Sequence, residues 1–253
     1  MAIQELCTVT QAAQLAPGLF SLTLDAPRIA PLARAGQFLH LSCGEGNLLR
    51  RPISLCSVST SDVRIVFQVK GEGTRWLSER KSGDAVDVLG PLGHGFDLAA
   101  LGAKPVFLGG GIGVPPMLYA MRCAKAAGAQ PAAILGFRSK SAVILEDEFD
   151  CPATVCTDDG SYGVHGFVTN VLQTQLADAT GVAACGPKPM LKAIAALAAS
   201  ANVPCQVSME ERMGCGIGAC LVCACALKSA TGDTKYGHVC KDGPVFNAEE
   251  VSW

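Results

Sequence analysis

"KPVFLGGGIGVPPMLYAMRCAKAAGA", residues 104–129, is where the chain changes texture. "KPVFLGG" has the short apolar run of a buried strand, and "PPMLYAMRCAKAAGA" spaces its apolar residues as an amphipathic helix does. Between them stand Gly110, Gly111 and Gly113, followed by Val114, Pro115 and Pro116. Proline suits a first helical turn, where its missing N–H is not needed. The alternation continues through "AAILGF", "ATVCTDD", "VAACG" and an Ala/Leu-rich helix at 189–201. Strands alternating with helices predict a doubly wound α/β parallel sheet over residues 101–204.

Upstream, "LFSLTLDAP", "GQFLHLSC", "VRIVFQVKG" and "DAVDVLGPLG" are short alternating runs between Gly and Pro punctuation, which predicts an antiparallel β-barrel over residues 1–100. Downstream of Pro204 little periodicity remains, so residues 205–253 read as a small module that depends on a metal for its stability. The whole is a mixed fold of three units, a fair division for 253 residues. A formal net charge of -2 offers no basic footprint for nucleic acid. "MAIQELCTVT" lacks the basic start and apolar run of a secretory signal, and no stretch is apolar enough to cross a bilayer, so a cytoplasmic protein is expected. Thirteen cysteines without a signal point to metal or redox chemistry rather than disulfides.

The metal signal is "MGCGIGACLVC", residues 213–223, with Cys240 in "GHVCKDGP". Cys215, Cys220 and Cys223 follow C-x4-C-x2-C, the plant-type ferredoxin spacing for a 2Fe-2S cluster, and Cys240 closes the set. Gly214, Gly216 and Gly218 permit positive φ and let backbone N–H groups approach the sulfurs. The rival is a structural zinc site, which more often uses two separated pairs. Cys225 falls outside the pattern and reads as core, or as a replacement for Cys223. Cys7, Cys43, Cys56, Cys123, Cys151, Cys156 and Cys205 read as small buried hydrophobes.

"RRPISL" (50–55) and "VFQVKGEGTRWL" (66–77) resemble the flavin motifs of ferredoxin reductase-like flavoproteins. The resemblance implies FAD held by Arg51, Pro52, Ile53 and Ser54, by the strand end Val66, Phe67 and Gln68, and by Gly73 and Thr74 at a helix start. Arg51 would pair with the pyrophosphate, Ser54 would bond the isoalloxazine, and the Gly73 and Thr74 N–H and hydroxyl groups would face phosphate. Ile53 stands where the family commonly has Tyr, so ring stacking would be aliphatic. Gly110, Gly111 and Gly113 match the reductase version of a dinucleotide loop, and Cys185 with Gly186 in "ACGPKPML" would sit beside the nicotinamide. In "CTDDGSYGVHG", Asp158 could accept from a ribose hydroxyl and favour NAD, although two adjacent aspartates also suit a plain acidic turn.

Together with "GPLGHGFDL" and the cysteine module, these motifs make the whole chain similar to the electron-transfer subunits of the two-component, NAD-dependent (type B) dihydroorotate dehydrogenases. That resemblance implies a partner subunit carrying FMN and the dihydroorotate site, in a heterotetramer with two of each. It also implies a route from that FMN through the 2Fe-2S cluster and FAD to NAD, in pyrimidine biosynthesis. No Ser/His/Asp or paired-carboxylate constellation is present, so no catalytic residue is assigned. His40, His94, His165 and His238 read as satisfied loop or strand residues, with His94 the one most suited to a place near the flavin. Two alternatives stand: an FAD/2Fe-2S NAD(P)H reductase subunit of a hydrogenase or transhydrogenase complex, and a zinc-stabilised binding module.

Overall fold

The computed structural model describes residues 2–229 and 231–253. β1 (Ile3–Ala16), β2 (Leu19–Asp25), β3 (Phe38–Leu41), β4 (Arg51–Val58), β5 (Asp62–Gln68), the short α1 (Glu72–Ser78) and β6 (Ala85–Leu92) form the first unit. Its strands close into a barrel in the order β1-β2-β5-β4-β3-β6. Alternation decides which side chains fill it: Leu39, Leu41, Val63, Ile65 and Phe67 point inward with Leu22, Leu24, Val86 and Val88. The intervening Phe38 and Val66 point outward and join the cores of the neighbouring units.

β7 (Pro105–Gly110), α2 (Val114–Ala126), β8 (Ala132–Phe137), β9 (Ala153–Thr157), the two-residue β10 (Val164–His165), α3 (Val168–Gln175), β11 (Gly181–Cys185), α4 (Lys188–Ser200) and β12 (Cys205–Ser208) follow. The sheet order is β10-β9-β8-β7-β11-β12, parallel throughout. Each face is apolar, as burial on both sides requires. Val106, Leu108, Ile134, Val182 and Ala184 face α3 and α4, whereas Phe107, Ala133, Leu135 and Ala183 face α2. α3 was not singled out in the sequence, although Val168 and Leu172 lie one turn apart and are buried.

The terminal segment is more regular than its sequence suggests. β13 (Ala224–Lys228) and β14 (Thr234–His238) form a hairpin, and β15 (Val245–Asn247) adds antiparallel to β12 as the last strand of the large sheet. β12 itself, at the start of the segment expected to be a separate module, pairs with β11. These strands are short, which is why no period was visible. The segment is also tied to the barrel, where His94 N–H donates to the Gly243 carbonyl at 2.6 Å. The barrel and the sheet unit share a charged clamp: Arg64 on β5 donates to both Glu148 oxygens at 2.9 and 2.7 Å, and Arg122 on α2 donates to the Glu148 carbonyl at 2.9 Å. Among the described residues no helix is long and apolar enough to cross a membrane.

Phe246 on β15 is 6% exposed and packs in the core shared by the sheet and the terminal hairpin. Phe246→Ala should therefore remove about 3 kcal/mol and lower the thermal midpoint by roughly 6–12 °C, read by scanning calorimetry.

Candidate redox site

Three groups of predicted residues come together, each within its own unit: the cysteines in the terminal segment, Arg51 with Gly73 in the barrel, and Gly110, Gly113, Cys185 and Gly186 in the parallel sheet. In the cysteine loop, the backbone turns its N–H groups onto sulfur. Ile217, Ala219 and Cys220 donate to Cys215 Sγ at 3.4, 3.2 and 3.4 Å, Gly218 donates to Cys240 Sγ at 3.1 Å, and Cys240 donates to Cys223 Sγ at 3.4 Å. Gly216 (φ +74°) and Gly218 (φ +83°) take the left-handed conformation this needs. Gly214 does not; its lack of a side chain matters because a Cβ there would lie 3.2 Å from Cys220 Sγ. Leu221, at φ 64°, is a left-handed residue that the sequence did not announce.

The thiols fall into two pairs. The free thiol of Cys215 is hydrogen-bonded to that of Cys220, and the thiol of Cys223 to that of Cys240. Among the described residues no three His, Cys, Asp or Glu side chains converge as one metal ion would require. Two and two is the arrangement for two irons, each taking two cysteines, and it does not suit a single tetrahedral zinc. Cys225 is buried on β13 opposite Gly237, whereas Cys223 Sγ accepts from Cys240 N–H. Burial opposes ionisation of Cys215, but the N–H groups of Ile217, Cys220 and Ala219 and the Cys220 thiol bring it down to about 6. Burial and the Cys223 thiol push Cys240 up to about 12. Exposed Ile217, Leu221 and Val222 rim the loop.

Arg51 opens β4, and its guanidinium lies over the start of α1, where a Cβ on Gly73 would meet it at 2.6–2.8 Å. Arg51 also donates to the Leu49 carbonyl and, at 3.4 Å, to Asn47 Oδ1. Thr74 departs from expectation: its hydroxyl donates to the Gly71 carbonyl at 3.0 Å and accepts from Lys70 and Gly71 N–H. It caps its own helix, so only its backbone N–H is left for an anion. Pro52, Ile53 and Ser54 are half-buried along β4. Phe67 turns into the barrel and stacks on Phe20, and Val66 is buried under α2, so of this strand end only Gln68 presents its side chain to solvent.

At the carboxyl ends of β7 and β11, a Cβ on Gly113 would collide with the Cys185 carbonyl, and Gly186 approaches Gly110 with Met190 beside both. Gly110, Gly113, Cys185 and Gly186 are thus one packed junction. Gly111, at φ +53°, faces open space. This junction lies where neighbouring strands lead away in opposite directions, the position at which doubly wound sheets bind ligands. The two aspartates divide their roles. Asp159 accepts from Ser161 N–H and hydroxyl at 3.0 and 2.6 Å and makes the turn, while Asp158, the residue after β9, is exposed.

His94 lines a cavity of about 290 Å³ with Gln37, Gly216, Ile217, Cys240 and Lys241, which places it at the cysteine loop. His40 is 1% exposed and neither ring nitrogen has a hydrogen-bond partner, so it is not the satisfied strand residue its sequence suggests. Cys123, Cys151 and Cys205 are half-buried rather than fully so.

Residues 210–252 match the model of the iron-sulfur cluster binding domain of dihydroorotate dehydrogenase B. The chain is 42% identical to the dihydroorotate dehydrogenase B (NAD(+)) electron transfer subunit of Geobacillus thermodenitrificans, with 98% of each chain covered. It is 43% identical to that of Caldanaerobacter subterraneus, with 85% and 86% covered. A solved NADH-dependent reduced ferredoxin-NADP oxidoreductase superposes with a TM-score of 0.88 at 30% identity, covering 98% of this chain and 90% of that one.

The thiol acidities give a direct test in metal-free protein. At pH 7 iodoacetamide should modify Cys215 first, because the reactive species is the thiolate, and the rate should fall as pH drops through about 6. Cys7 and Cys56, which burial pushes up to about 12, should stay unmodified when tryptic peptides are weighed.

Proposed function

The chain belongs to the family of dihydroorotate dehydrogenase B (NAD(+)) electron transfer subunits, and we propose that Cys215 with Cys220 holds one iron of a 2Fe-2S cluster and Cys223 with Cys240 the other. The observation that carries this is the pairing of thiols under inward-facing N–H groups. Such donors stabilise the negative charge on cluster sulfur and so tune its potential. Exposed Ile217, Leu221 and Val222 around Cys220 supply an apolar rim for docking a catalytic partner subunit. That partner would carry FMN and oxidise dihydroorotate, two copies of each chain making the assembly.

For FAD, Arg51 is the cation aimed at the diphosphate, and its seat above Gly73 supports that role. The N–H groups of Gly73 and Thr74 complete the anion cradle. Pro52, Ile53 and Ser54 would line the ring, with Ser54 donating to it. Val66 and Phe67 would contribute only backbone, and Gln68 its side chain. For NAD, Gly110, Gly111 and Gly113 admit the diphosphate, Cys185 and Gly186 flank the nicotinamide, and Asp158 accepts from ribose hydroxyls. When bound, FAD supplies two-electron exchange with NAD and one-electron exchange with the cluster. The protein's part is orientation: α2 packs directly on β4, so the strand that carries Arg51 and Ser54 and the glycine loop that starts α2 are fixed to each other.

The three units of this reading are residues 1–100 for FAD, 101–204 for NAD and 205–253 for the cluster, with β12 contributing to the NAD sheet. All thirteen cysteines are free thiols, which supports a reducing compartment, the cytoplasm.

Protein purified without air should contain iron and labile sulfide in equal amounts, and NADH should bleach flavin and cluster absorbance together. Zinc in place of iron would refute the reading. Cys220→Ala should abolish NAD-linked dihydroorotate oxidation in the reconstituted complex while leaving flavin reduction by NADH in place. Gly73→Ala should displace the mobile tip of Arg51 without unfolding the barrel. Loss of that charged hydrogen bond predicts FAD binding weakened by about 10-fold or more in a fluorescence titration.

A further inference from the structure

The barrel turns a buried polar side chain, His40, toward the cysteine loop, where Gln37 and His94 also line the cavity. His40 sits on β3 between Leu39 and Leu41, which fill the barrel, so alternation sends its ring outward. There it meets Gly216: a Cβ on that residue would lie 2.6 Å from Nδ1 and 3.2 Å from Cε1 and Cγ. Only glycine fits beneath this ring. The imidazole is 1% exposed and neither nitrogen makes a well-formed hydrogen bond, the backbone of Arg50 and of Cys215 being the polar groups it faces. Buried polar atoms of this kind are rare and call for a reason.

The backbone behind the ring is rigid. His40 faces Pro52 across the β3–β4 ladder, and its carbonyl accepts from Arg50 Nη1 at 3.2 Å while Arg50 also pairs with Asp87. The same ladder carries Arg51 and Ser54, so the ring bridges the FAD strand and the loop that begins with Cys215.

We propose that His40 is a positioning residue for the cluster: its Nδ1 edge, held by the barrel, sets the turn at residues 215–217 and with it the reduction potential of the iron pair. The proposal rests on the cluster reading above. A polar hydrogen at this buried edge stabilises the more negative, reduced state, so its removal moves the potential down.

The test uses the full chain loaded with iron and sulfide under anaerobic conditions. Iron and sulfide are assayed first, then the electron paramagnetic resonance spectrum of the reduced cluster and its midpoint potential. His40→Leu should shift the potential to more negative values and change the resonance spectrum. His40→Asn, whose amide reaches the Nδ1 position, should restore both, and His40→Gln, whose amide reaches toward Nε2, should not. Wild-type potential and spectrum in His40→Leu would overturn the proposal. If that variant does not fold, equal displacement in the Asn and Gln variants overturns it. Wild-type protein without iron would instead sink the cluster reading and this inference with it, whereas iron-loaded variants that match wild type sink the inference alone.

Discussion

Backbone N–H groups pointing at sulfur are the constraint on which this molecule turns. A thiolate carries a full charge on a soft, weakly solvated atom, and four of them near one another are mutually repulsive. The loop at 214–220 answers with dipoles, since Cys215 Sγ alone receives three N–H donors. Directing successive N–H groups to the same side requires left-handed residues at alternate positions, and Gly216 and Gly218 supply them. A loop of that shape leaves its apolar residues Ile217, Leu221 and Val222 exposed and buries no core of its own. It must be held from outside.

Two supports hold it. β15 follows Cys240 by a short turn and pairs with β12, so one wall of the cysteine site is the last strand of the nucleotide-binding sheet. The barrel is the other: the segment after β6 bonds Gly243 through His94, and β3 presses His40 against Gly216. The barrel and sheet are locked in turn by Arg64, Glu148 and Arg122. Electron transfer between bound groups depends on fixed separations, and this triangle of contacts leaves no unit free to drift from the other two.

Much of this was legible because periodicity reports burial. The alternating runs before residue 98 and the switch to strand and helix at 104 marked the two large units, since each element buries a regular face. Beyond Pro204 the signal failed for a physical reason. β15 has three residues, too few for alternation to emerge, and its pairing with β12 is a long-range fact that composition does not carry. Glycines were legible in kind but not in cause. Gly216 and Gly218 were rightly read as left-handed, whereas Gly214 is small because Cys220 Sγ lies close.

The site divides in the same way. Spacing singled out four cysteines as candidate ligands, and their approach two by two needed coordinates. Adjacent aspartates could not be ranked from sequence, because only the Ser161 contacts show that Asp159 is spent on the turn. Thr74 looked like a phosphate donor, yet a hydroxyl at the third position of a helix is drawn back to its own cap. His40 is the instructive failure. A histidine on a barrel strand, pointing away from the barrel core, reads as solvent-facing and therefore satisfied. That inference treats each unit as if it stood alone. Where three units meet, the outward face of one is the interior of another, and a polar ring there is buried without the water that the single-domain reading assumed.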